Sequence, residues 1–86
     1  MKKAVLVKEL SNWNSSAKLF KLSEPLDGNT FVIVSALSGF ENNETIIFGA
    51  NEKGVANFIE LTGSLYNVCD HKLALEKAGY EIVDKL

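Results

Sequence analysis

Phe31-Val32-Ile33-Val34 sets four β-forming apolar residues side by side. Side chains alternate along a strand, so such a run is stable only if both faces are covered. This predicts a central strand over residues 30–38. Two further segments share the property: Ala4 to Val7 within a strand over 3–10, and Ile46 to Phe48 within a strand over 45–50. A sheet with several doubly apolar strands must be roofed on both sides, and the rest of the chain has to supply the roof.

Helical signal is scarce. Asp70 is a good N-cap, and His71 to Ala78 contains the helix formers Lys72, Leu73, Ala74, Leu75, Glu76 and Lys77. Gly79 stands where a helix needs its left-handed terminator. Ala74, Leu75 and Ala78 form a small apolar stripe able to rest on a sheet, with Lys72 and Glu76 paired on the wet side. The expected fold is therefore α+β: a four- to five-stranded, mostly antiparallel sheet with one short C-terminal helix, about 70–79, on one face.

Between these elements the punctuation is local. Ser23 to Asn29 holds Pro25 and the turn pair Asp27-Gly28. Asn51-Glu52-Lys53-Gly54 fits a type I turn closed by a left-handed glycine, which predicts a hairpin from 45–50 into 55–59. The second arm is weakened by Ala, Asn and Glu, and could leave the sheet early. Residues 61–68 read as an irregular crossing. Tyr80-Glu81-Ile82-Val83 alternates and could return as a final strand.

A helix of about two turns covers only part of one sheet face. The remaining cover must come from loops bearing Trp13, Phe40 and Tyr66, from a second copy of the chain, or from a partner. Trp13 and Phe40, aromatic residues set in polar loops, are the candidate interface residues.

The chain's 86 residues make one domain, 1–86, which buries about 60–65% of its unfolded surface on folding. A hydrophobic content of 47% with five Phe argues for a real core. The net charge of -2 gives no reason to expect nucleic acid or a membrane as partner. Charge is unevenly placed: residues 1–23 carry five lysines against Glu9 alone, and residues 24–86 carry four lysines against ten acids. One cysteine makes no internal disulfide, no run reaches membrane-spanning length, and Ala4 to Val7 is too short for a signal-peptide core. These features lead to an expected cytoplasmic, reduced setting.

Chemistry-bearing clusters are few. Cys69-Asp70-His71 is too small a set for zinc, with no other Cys or His in the chain. A Cys-His nucleophilic pair is disfavoured because residues two apart at a helix start do not face each other. Structural roles fit better: Cys69 under the helix, Asp70 as its cap, His71 in its first turn. No two glycines have phosphate-loop spacing, and no acid pair stands out for general acid–base work. No cofactor is implied.

Phe48-x-Ala50, Gly54-x-x-x-Phe58, Glu60-Leu61, Gly63-Ser64, Asp70-His71, Ala74-Leu75 and Ala78-Gly79-Tyr80-Glu81 together resemble small uncharacterised bacterial and phage (mobile-element) proteins, over residues of about 45–82. The resemblance implies a shared architecture and carries no activity or catalytic residue. The expected function is a non-enzymatic, cytoplasmic protein-interaction module binding a protein partner or itself through an open sheet face, such as a mobile-element accessory protein or inhibitor. The alternative is a small-molecule-binding protein or minor enzyme, its pocket lined by Tyr66, Cys69, Asp70 and His71.

Overall fold

A computed structural model describes residues 1–10, 16–38 and 43–86. Among these residues the strands are β1 (Lys2–Glu9), β2 (Ala17–Leu26), β3 (Asn29–Ser38), β4 (Asn43–Ala50), β5 (Ala56–Glu60), β6 (Leu65–Tyr66) and β7 (Tyr80–Val83), with one helix, α1 (His71–Lys77), before β7. They form one sheet in the order β5-β4-β3-β2-β1-β7, with β6 paired beside β5 on the outer edge of β4. The fold is mostly sheet with one short helix, as expected.

The sheet itself differs from the expectation in two ways. Among the described residues it has seven strands rather than four or five, and it is mixed, because β7 runs parallel to β1. The extra strands are β6, only two residues long, and β7, which needs a crossover connection that α1 supplies. Strand β2 also runs on through Ser23-Glu24-Pro25, which reads in sequence as a break. Its register with β3 shifts between Lys21 and Leu26, so Pro25 lies in an irregular stretch where its missing N–H costs no regular ladder bond.

Several local readings coincide with the structure. Strand β3 lies between β2 and β4, and Val32, Ile33 and Val34 are wholly buried. Asp27 and Gly28, both at positive φ, close the β2–β3 hairpin. In the β4–β5 turn the Gly54 amide donates to the Asn51 carbonyl at 3.0 Å, with Gly54 at φ +84°. The second arm does pair as β5, with its register shifted between Phe48 and Ala50. At the helix, the Asp70 Oδ1 accepts the Leu73 amide at 3.1 Å.

Seven residues are too few for a helix to persist alone. Packing holds this one: Ala74 and Leu75 are fully buried, and Leu75 alone contributes about 2 kcal/mol by leaving water. They join Ala4, Phe20, Leu22, Val32, Val34, Ile47 and Tyr80 in the main core on the helix side of the sheet.

The other face is roofed in part by the chain itself. Leu10, Ala17, Leu19 and Ile33 form a second core, with Phe31, Ala50 and Ala56 against it. The β4–β5 turn folds over this cluster, since a Cβ on Gly54 would lie 3.2 Å from Leu10 and 3.5 Å from Leu19. Lys8 of β1 lies against the same turn, 3.5 Å from the Gly54 Cβ position.

Candidate functional site

Two places on the surface combine shape with chemistry, one on each side of the sheet. The first is a cleft of about 360 Å³ beside the start of α1. Its apolar lining is Leu6, Phe20 and Ile82, and its polar lining is Lys18, Cys69, Asp70, His71 and Lys72. In-register pairing explains the floor: Leu6 faces Phe20 across β1–β2, and Ile82 stands beside Ala4 on β7. Lys18 shares the face of Phe20 and Leu22 by alternation.

The helix start is tied down by a buried threonine. Thr45 Oγ1 donates to the Val68 carbonyl at 2.6 Å and accepts the Asp70 amide at 2.9 Å. His71 Nε2 meets the Ser16 backbone carbonyl. A carbonyl only accepts, so Nε2 carries the proton, and the ring is pinned to the loop before β2.

Sequence had grouped Tyr66, Cys69, Asp70 and His71 around one pocket. The structure brings Cys69, Asp70 and His71 to the cleft and leaves Tyr66 elsewhere, on β6. It also puts the cleft against β1, β2 and β7 rather than against the 62–68 crossing. Cys69 is exposed, not packed beneath the helix as expected, because α1 buries its Ala74 and Leu75 side instead. Leu6, Phe20 and Ile82 carry no functional signal in sequence, and nothing there joins Lys18 to them, since only pairing between distant strands brings the four together.

The second place is an aromatic patch on the face without the helix. Register puts Leu37 beside Glu44, Ile46 beside Ser35, Phe48 beside Ile33 and Tyr66 beside Glu44, all on that face. Phe58 packs edge-on against Phe48, with ring centres 6.0 Å apart. Phe58 is 68% exposed, Tyr66 61% and Leu37 42%. The Tyr66 hydroxyl bonds to the Glu60 carboxylate, and this bond, more than the neighbouring charge of Glu60 and Glu44, pushes its pKa up.

Phe58 has a backbone peculiarity as well. It sits at φ +59°, a region that costs a side chain with a Cβ about 1–2 kcal/mol. The β5 register shift forces it there, and the result is a large ring held on the surface. Trp13 and Phe40, the aromatic residues singled out in sequence, lie outside the described residues.

Among the described residues no group of three His, Cys, Asp or Glu could hold a metal ion, and no helix is long and apolar enough to cross a membrane. Comparison with protein-family models, curated proteins and solved structures gives no match.

Proposed function

We propose that the chain is a small, non-enzymatic interaction module that binds a protein partner, or a second copy of itself, through the helix-free face of its sheet. The observation that carries this reading is Phe58, a bulky ring kept 68% exposed by a strained backbone, beside Phe48 and with Tyr66 on the same face. Strain of this kind collects where a surface does work, and exposed aromatic side chains are the usual anchors of interfaces. Glu44 and Glu60 border the patch, so a partner with a basic rim fits best. A cytoplasmic accessory or inhibitor role in a mobile element belongs to the same proposal and rests on the resemblance alone.

Sedimentation velocity on the wild type and on a Phe58→Asp, Tyr66→Asp double variant tests it. Both side chains are exposed, so the variant keeps its fold. The expected result is a wild type that sediments as an assembly, alone or with a co-purifying protein, and a variant that sediments as a monomer. A wild type that is strictly monomeric and partner-free, or a variant that assembles equally well, overturns the reading.

A further inference from the structure

The cleft beside α1 lies on the opposite side of the sheet from the aromatic patch and has its own chemistry. Leu6 and Ile82 are 44% and 40% exposed and, above the buried Phe20, give it one apolar wall. The lining also holds two ammonium-bearing side chains from different elements, Lys18 of β2 and Lys72 of α1. Among the described residues Asp70 is the one carboxylate in the lining, and it is engaged as the helix cap by the Leu73 amide. Lys18, Lys72 and Asp70 together give the lining one net positive formal charge.

Both lysines can be recruited at little cost. The carboxylate partners are Glu9 for Lys18, at 3.9 Å, and Glu76 for Lys72, at 3.8 Å, both at the outer limit of an ion pair. Such solvated, long pairs add little to stability and give way readily to another anion. The positive charge comes from these side chains and not from the helix end, which Asp70 occupies. His71, held by the Ser16 carbonyl, gives the cleft a fixed wall. A volume of about 360 Å³ sits near the lower end of ligand pockets and limits the occupant to a small molecule.

We infer that the cleft binds a small amphipathic carboxylate, its apolar body on Leu6, Phe20 and Ile82 and its head group between Lys18 and Lys72. An apolar body without charge leaves the lysines unused, and a charge without a body leaves the apolar wall wet. One negative charge matches the net charge of the lining.

The test is an amide-resolved NMR titration of the full chain with 3-phenylpropionate. Its neutral amide serves as the body-only control and acetate as the head-only control. Saturable shifts are expected at Leu6, Lys72 and Ile82, with both controls at least roughly tenfold weaker. Lys18→Met and Lys72→Met, at partly or fully exposed positions, each weaken binding by roughly tenfold while preserving the dispersed spectrum. Ile82→Asn weakens it without touching a charge. Shifts that do not saturate, shifts centred elsewhere, an amide that binds as well as the acid, or full affinity in the Lys18→Met, Lys72→Met double variant each overturn the assignment.

Discussion

Thr45 accepts the backbone N–H of Asp70 on its hydroxyl at 2.9 Å, and the same hydroxyl donates to the Val68 carbonyl at 2.6 Å. One wholly buried side chain on β4 thus fixes where the crossing ends and the helix begins. Thr45→Val keeps the shape and removes both bonds, leaving a donor and an acceptor unsatisfied. At about 1–3 kcal/mol for each orphaned group, the expected loss is about 2–6 kcal/mol. Urea unfolding measures it, and Thr45→Ser, which keeps the hydroxyl, loses distinctly less.

Gly63 lets the crossing press against the helix. A Cβ there would lie 2.7 Å from the Ala78 Cβ and 2.9 Å from the Ala74 carbonyl oxygen, with φ at +103°. The clash is with a methyl group and backbone, neither of which can swing aside. Backbone strain of about 1–2 kcal/mol adds to overpacking of about 1–3 kcal/mol. Gly63→Ala is expected to lose about 2–5 kcal/mol by chemical denaturation, whereas Gly28→Ala, with open space around its Cβ, loses only the backbone part.

Tyr80 gives a pH signature. It is wholly buried, with its hydroxyl donating to the Glu24 carbonyl at 2.6 Å. Burial, and then the charges of Glu24 and Asp27, raise its pKa above the ordinary 10.0. The unfolded chain therefore loses this proton first as pH rises, and the folded state binds the extra proton. The stability it contributes is complete below about pH 10 and is lost as pH climbs through the raised folded value. Stability measured from pH 8 to 11 should fall more steeply in the wild type than in Tyr80→Phe, which lacks the titrating group.

Much of the fold can be read residue by residue. Phe31 to Val34 announces a central strand, Asn51 to Gly54 a turn, and Asp70 to Gly79 a helix with both ends marked, because each depends on local geometry. Strands β6 and β7 are legible only in part. Leu65-Tyr66 is too short to show a period, and the place of Tyr80 to Val83 beside β1 depends on where α1 delivers the chain. The cleft and the patch are less legible still. Leu6, Phe20 and Ile82 meet through pairings between β1, β2 and β7, and the exposure of Phe58 follows from a register shift that no spacing reveals. The shortfall in cover read from the sequence has a more specific location in the structure. The end of β1 and the β4–β5 turn roof one part of the helix-free face, and the exposed aromatic residues lie around β4, β5 and β6.

The claim that this aromatic patch is an interface is tested most directly by site-specific photo-crosslinking. A benzophenone side chain replaces Phe58 in one preparation and exposed Glu52, in the β4–β5 turn, in another, each irradiated in an extract of the source cells. The account predicts one dominant adduct of defined mass from position 58 only. Excess unlabelled wild type should suppress it, and excess Phe58→Asp, Tyr66→Asp variant should not. Equal adducts from both positions, no adduct from position 58, or equal suppression by the variant would contradict it.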